Sequence, residues 1–252
     1  MKISVLASGS KGNCTYIETN KNKILIDIGM SNLYVERSLM KLKVDPNEIN
    51  AILITHTHSD HVGGLKVFTK KHNPVVYLTQ KMYNELSNSM ILNNYIILED
   101  KIILEDVIID FFKTSHDTDD SVGYIFQSQE KGFVYVTDTG YIPQKYFPIL
   151  SNKDIYIFES NYDVEMLMNN EKYPYYTKQR ILSDKGHLSN QDSSYYLSKL
   201  IGNNTHCIIL AHLSENNNHP NIAFNTLKEK LNNENIKIMI ATQNETTELI
   251  EV

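Results

Sequence analysis

The chain has 252 residues, 41% hydrophobic and 21% charged, with a net charge of −6. That length can bury a substantial core, and the balance lacks the basic footprint that duplex-binding proteins normally carry. No apolar run approaches the roughly 18 residues of a membrane helix, and two cysteines, Cys14 and Cys207, make no disulfide framework. A cytoplasmic protein free of the membrane is expected. Short strands are expected at 2–7, 14–19, 23–28 and 51–54. The first is too short in its apolar part for a signal peptide. Gly and Ser fill the loop over 7–13, a type that can present N–H groups to an anion. Asn20-Lys21-Asn22 reads as a hairpin turn. Ser31 can cap a helix running to about Lys43, ended by Asp45-Pro46-Asn47.

Strand 51–54 runs into Thr55-His56-Thr57-His58-Ser59-Asp60-His61. A random six-residue window of this chain should hold about 0.2 of a histidine, and 56–61 holds His56, His58 and His61 with Asp60. Imidazole is the commonest protein metal ligand and carboxylate its usual companion. A strand end is also where sheet proteins place their sites. In an extended chain His56, His58 and Asp60 share one face while His61 points elsewhere, which suits two metals better than one. Helices are expected at 63–72 and 79–89. Lys66, Lys70, Lys71 and His72 on the first read as a solvated face rather than a positive ridge. Strands return at 75–78, 101–104, 107–113, 121–127 and 133–137. Helical stretches follow at 143–150, 162–169, 174–182 and 190–200. The end reads as strand 207–211, helix 219–232 and strand 237–241. With no linker or internal repeat, residues 1–252 are read as a single domain.

The 55–61 run matches the HxHxDH motif of the metallo-β-lactamase superfamily. Four further strand ends resemble that family's later or earlier motifs: Asp27 after Ile24-Leu25-Ile26, His116 after the run 107–112, Asp138 after Val134-Tyr135-Val136-Thr137, and His212 after Cys207-Ile208-Ile209-Leu210-Ala211. Alone, each is an ordinary turn or surface residue; the ordered set carries the resemblance. It implies an α/β fold, an αββα four-layer sandwich with two mixed β-sheets face to face and helices outside. It implies His56, His58 and His116 on a first metal, Asp60, His61 and His212 on a second, and Asp138 bridging them. Asp27 then orients a ligand histidine by hydrogen bonding. Two divalent metal ions (Zn²⁺, Mn²⁺ or Fe²⁺), about 3.5–4 Å apart, activate a water between them and neutralise an anionic substrate. With one metal bound, Asp60 is free to act as general base. His58 stands where the redox-active flavodiiron branch carries Glu, so hydrolysis is expected.

Three segments point to phosphodiesters. His187, in Lys185-Gly186-His187-Leu188-Ser189-Asn190, precedes a predicted helix whose N–H groups favour phosphate, and it can protonate a leaving alkoxide. Ser10 and Asn13 in the Gly/Ser loop, Ser189 and Asn190, and Ser214 and Asn217 offer further polar atoms to phosphate oxygens. Ser-Gly-Ser-x-Gly-Asn, Gly-His-Leu-Ser-Asn and Ala-His-Leu-Ser-x-x-Asn-Asn resemble the YycJ (WalJ or VicX) group of Gram-positive bacteria. That resemblance implies a 5′-to-3′ exonuclease on duplex DNA with a DNA-repair role. The β-CASP nucleases and the tRNA 3′-processing enzymes fit less well, because the spacings around Asp138 leave no room for their inserted domain or arm. The alternative is a small-molecule phosphodiesterase, or a thioester or lactone hydrolase, of the same fold. A binding module without activity is a third reading, and the intact ligand set counts against it. The residues leave oligomeric state open, a homodimer included.

Overall fold

The computed structural model describes residues 1–231 and 233–252. β1 (Lys2–Ala7), β2 (Cys14–Glu18) and β3 (Lys23–Ile26) form an antiparallel meander. β4 (Ala51–Leu53), β5 (Val75–Leu78) and β6 (Tyr95–Ile97) extend it in parallel. The second sheet repeats that order. β7 (Ile102–Leu104), β8 (Val107–Lys113), β9 (Val122–Ser128) and β10 (Lys131–Val136) are antiparallel. β11 (Ile155–Glu159), β12 (Cys207–Ala211) and β13 (Lys237–Ile240) then add in parallel. β14 (Ile250–Glu251) returns to pair with β1, giving two mixed seven-stranded sheets.

Alternation sets how the sheets pack. Phe133, Tyr135, Ile155, Ile157 and Ile209 join the core between the sheets. Their neighbours Val134, Val136, Tyr156, Phe158, Ile208 and Leu210 face the helices outside. Both sets are buried, so these strands read as continuous apolar runs rather than as alternating ones. A one-residue slip would exchange the two sets, which fixes the register and with it the position of every strand end.

Helices α1 (Asn32–Lys41), α2 (Ser59–Val62), α3 (Leu65–His72) and α4 (Gln80–Leu86) belong to the first half. α1, α3 and α4 pack on the first sheet through Val35, Leu39, Leu65, Phe68, Met82 and Leu86. The second half has α5 (Phe147–Leu150), α6 (Val164–Asn169), α7 (Tyr175–Leu182), α8 (Asn190–Leu200) and α9 (Pro220–Leu231). α5, α8 and α9 cover the second sheet through Leu150, Leu197, Leu200, Ala223 and Leu227. α6 and α7 make a separate small cluster of Leu167, Ile181 and Tyr162 beside the cleft. The αββα arrangement is the one expected. No helix among the described residues is long and apolar enough to cross a membrane.

The differences from expectation are local. β6, β11 and β14 were not anticipated: β6 and β14 are edge strands of three and two residues, and β11 is the central run Ile155–Glu159, which fell between the helices expected at 143–150 and 162–169. The helix expected over 63–72 begins instead at Leu65, behind the separate turn α2. Between them, a Cβ on Gly64 would stand 2.2 Å from the Met30 carbonyl, so the two segments meet where only hydrogen fits. The chain is therefore helical, not extended, from Ser59, and Asp60 does not share a strand face with His56 and His58. Lys66, Lys70 and Lys71 lie on an exposed face of α3, as expected. Lys71 Nζ and His72 Nε2 each lie 2.8 Å from Glu36 Oε1, tying α3 to α1.

Candidate metal centre

The parallel strands bring their C-terminal ends to one edge of the sandwich. Asp27 follows β3, the 55–61 run follows β4, Asp138 follows β10, Glu159 ends β11 and His212 follows β12. Asp27, Asp138 and His212 have left-handed backbones, with φ of 58°, 56° and 59°. That conformation ends each strand at the residue that must leave its face, at a cost of roughly 1–2 kcal/mol per residue.

Two ligand triads result. His56, His58 and His116 each offer a nitrogen within 4.8 Å of the others, and so do the ligand atoms of Asp60, His61 and His212. Asp138 lies between them. Its Oδ2 is 3.1 Å from His61 Nε2, and its Oδ1 is 3.4 Å from His212 Nδ1 and 3.7 Å from His116 Nε2.

Backing partners set the tautomers. His61 Nδ1–H donates to Asp27 Oδ2 at 2.8 Å, and Asp27 also accepts from the Thr55 hydroxyl and amide. His116 Nδ1–H donates to the Gly186 carbonyl at 3.2 Å. Glu159 Oε1 accepts from His212 Nδ1 at 2.9 Å and from His187 Nδ1 at 2.8 Å. Each ring is thereby left with Nε2 turned to the cleft, the arrangement metal-ligating histidines adopt.

The donor set fits a cation. His212 Nε2 is buried with no hydrogen-bond partner, and Asp138 Oδ2 is buried with no well-aligned donor, His61 Nε2 lying 3.1 Å away. An unpaired buried polar atom costs about 1–3 kcal/mol, and a divalent ion bound there satisfies both. Electrostatics agree. Burial alone would raise the Asp138 carboxyl, but His212 and His61 hold it well below the usual carboxylate range. Burial would lower His61, but Asp138 and Asp27 outweigh it and lift the imidazole to about 10. A cation then displaces a proton held by carboxylates already ionised. His56 is pushed down, first by burial and then by the charge of His61.

Ser10, Ser214 and Asn217 line the cleft, as do Asp60 and His187. Three other expected contacts do not reach it. Asn13 is buried in its own loop, where Oδ1 accepts from the Gly9 amide at 2.9 Å and Nδ2 lies 3.0 Å from His61 Nε2. Ser189 caps α8 by accepting from the Asp192 amide, and Asn190 is bonded to Ser160 and Asn218. The Ser189 and Asn190 side chains are thus committed within the protein. The Gly/Ser loop is equally committed. Its Gly9, Lys11, Gly12 and Asn13 amides donate to Asn13 Oδ1, Gln243, the Gly9 carbonyl and the Asp60 carbonyl.

Glu159 was missed, although it ends the apolar run Ile155-Tyr156-Ile157-Phe158 as Asp27 and Asp138 end theirs. It is fully buried, and its Oε2 accepts from the Thr139 and Leu188 amides at 2.9 and 3.3 Å. Burial would raise its carboxyl, but His187 outweighs that and it stands at about 2. Asn161, Asp117 and the α7 residues Thr177 and Arg180 also line the cleft. Asn161, Thr177 and Arg180 come from segments carrying no metal-ligand pattern, whereas Asp117 adjoins the expected ligand His116.

The sequence pattern of the metallo-β-lactamase superfamily matches residues 7–212. Exodeoxyribonuclease WalJ of Streptococcus pneumoniae is 38% identical over 237 residues, 91% of this chain and 88% of its own. Exodeoxyribonuclease YycJ of Bacillus anthracis is 35% identical over 229 residues, 88% of this chain and 86% of its own. The crystal structure of the metallo-β-lactamase fold protein YhfI from Bacillus subtilis superposes with a TM-score of 0.76, over 98% of this chain and 99% of its own. At 14% identity that is a likeness of fold alone. The chain belongs to the metallo-β-lactamase superfamily, in the family of the WalJ and YycJ exodeoxyribonucleases.

Proposed function

We propose that the chain is a dinuclear-metal phosphodiester hydrolase, a 5′-to-3′ exonuclease on duplex DNA with a role in cytoplasmic DNA repair. The observation that carries the two-metal reading is Asp138, set between two complete triads with its Oδ2 lacking a well-aligned donor and His212 Nε2 unpartnered. The exodeoxyribonuclease names of the WalJ and YycJ relatives support the substrate.

His56, His58 and His116 would hold one cation, Asp60, His61 and His212 the other, and Asp138 both. Imidazole with carboxylate suits Zn²⁺, Mn²⁺ or Fe²⁺. Such a pair supplies an activated water and charge neutralisation at phosphate. Asp27 holds the His61 ring in place, and Glu159 holds those of His187 and His212. With Nδ1 committed to Glu159, His187 keeps Nε2 to deliver a proton to the leaving oxygen. Asp60 is free to accept a proton from water when the second triad is empty. Ser10, Ser214 and Asn217 set polar atoms along the walls.

A small phosphodiester is the second reading, favoured by a cleft of about 340 Å³ and by the net charge of −6. One panel separates the two. Purified protein is screened across Mn²⁺, Zn²⁺ and Fe²⁺ against 5′-phosphorylated duplex DNA, single-stranded DNA, RNA and bis(4-nitrophenyl) phosphate. The nuclease reading requires degradation of linear duplex from its 5′ end. Intact DNA under every metal, with turnover of the small diester, would replace it by the second reading.

A further inference from the structure

The cleft opens against α7, and the segment around that helix is locally basic and aromatic. Residues 172–185 hold four cations, Lys172, Lys178, Arg180 and Lys185, against one carboxylate, Asp184, in a protein of net charge −6. Three tyrosines are interleaved with them: Tyr173, Tyr175 and Tyr176. Tyr175 and Tyr176 are 72% and 75% exposed, far beyond what an aromatic ring needs for packing. Tyr173 and Thr177 line the cleft, and so does Arg180.

Helical spacing sorts these side chains. Tyr176 and Arg180 are four residues apart and share a face. That face continues the cleft wall, because Arg180 belongs to both. Tyr175 is five residues from Arg180, about 140° further round, and points away from that path. Lys178 is bonded to the Met168 carbonyl, so it ties α7 to α6. The Arg180 side chain is 69% exposed, with Nε 3.6 Å from Asp117 Oδ2. Its guanidinium is thus held over the cleft mouth by a carboxylate that itself lines the cleft.

The cleft volume, about 340 Å³, sits at the lower end of ligand-site sizes, so one nucleotide rather than a base pair is the unit that fills it. A strand reaching the metals has therefore left its partner, and its bases have lost their stacking neighbours. Proteins that hold such strands combine cations along the backbone with exposed aromatic rings, and base stacking tolerates any sequence.

We infer that the α7 face bearing Tyr176 and Arg180 is a grip for unpaired nucleic acid, with Tyr176 stacking on a base next to the scissile phosphate and Arg180 meeting an adjoining phosphate. This rests on the nuclease reading. It answers the acidic net charge, since a local stripe replaces a global basic footprint.

The test measures KM and kcat of the parent, Tyr176→Ala, Tyr176→Phe and Tyr175→Ala proteins, on labelled duplex DNA with an unpaired 5′ end and on bis(4-nitrophenyl) phosphate. Tyr176→Ala should raise KM for DNA at least five-fold more than for the small diester, within the range that loss of one stacked base produces. Tyr176→Phe should keep the parental KM, and so should Tyr175→Ala. An unchanged DNA KM in Tyr176→Ala, an equal rise on both substrates, or an equal loss in Tyr175→Ala overturns the grip while the nuclease reading stands. A parent that hydrolyses the small diester and leaves DNA intact overturns both.

Discussion

Replacing Glu159 by Gln isolates the residue that composition and motif reading passed over. All four partners of its carboxylate are donors. His187 and His212 Nδ1–H meet Oε1, and the Thr139 and Leu188 amides meet Oε2. A glutamine keeps the shape but must set its NH₂ against one donor pair, whichever way it turns. Each buried donor left without an acceptor costs about 1–3 kcal/mol, so the pair costs about 2–6 kcal/mol, partly relieved by repacking. Against an ordinary stability of roughly 5–15 kcal/mol this is a large loss. The same change frees the His212 ring, and losing the partner behind a ligand histidine typically weakens metal binding about 10–100-fold.

Guanidinium unfolding of metal-stripped protein gives the first quantity, and competition with a chelator of known affinity gives the second. The pH dependence has a definite sign. The Glu159 carboxyl is lowered from its ordinary 4.5 to about 2 in the folded chain. Its contribution is therefore complete above about 4.5 and lost as pH falls through about 2, so parent and Glu159→Gln should converge in acid. A variant whose unfolding midpoint and metal affinity both match the parent would refute the placing of Glu159 behind the two histidines.

Other substitutions probe the remaining parts. His187→Ala should lower kcat on phosphodiesters by about 10²–10⁴ with metal content unchanged by elemental analysis, and metal loss would assign the residue a different role. Asp27→Asn removes the carboxylate beneath His61, and chelator competition should show metal affinity weakened about 10–100-fold. Gly29→Ala places a Cβ 1.6 Å from the Asp60 carbonyl, so Asp60 must move and metal stoichiometry should fall from two towards one. Glu36→Gln breaks the clamp from α1 to Lys71 and His72. The Lys71 hydrogen bond chiefly holds the Glu36 carboxyl at about 2, below its ordinary 4.5. With Lys71 solvated the clamp contributes about 1 kcal/mol, present above pH 4.5 and lost towards pH 2, as urea unfolding at both ends of that window would show.

Residues 55–61 were legible because chemistry and spacing coincide there. Asp138 and His212 were legible only as members of an ordered set, because each ends an apolar strand in the order the 55–61 motif leads one to expect, while alone each is an ordinary turn or surface residue. Glu159 also ends an apolar strand, but no strand was read over 155–159, between the helices expected at 143–150 and 162–169, so it carried no strand-end signal. Ser189 and Asn190 failed in the opposite direction. Their types suit phosphate, but the same types cap helices and bridge loops, and here those internal bonds took them. The cleft wall on α7 was hidden for a third reason. Its place beside the metals comes from packing of Leu167, Ile181 and Tyr162, and no local pattern encodes that.

The left-handed strand ends tie the fold to the site. Glycine would adopt φ near 58° without strain, yet Asp27, Asp138 and His212 occupy those positions. Asp and His are among the residue types that tolerate this conformation best, so the geometry and the ligand chemistry select the same small set. Neighbours enforce it: the Asp27 amide donates to the Leu53 carbonyl at 2.9 Å, and the His212 amide donates to Ser8 Oγ at 2.7 Å. At roughly 1–2 kcal/mol each, the three such residues cost about 3–6 kcal/mol, and a ligand present at one hundred times its dissociation constant adds roughly 2.7 kcal/mol. Metal binding at that saturation would offset part of what the strand ends cost. That offset bears on how a buried cluster of four imidazoles and three carboxylates, His56, His61, His116, His212, Asp27, Asp138 and Glu159, persists at an edge where apolar side chains would pack more cheaply.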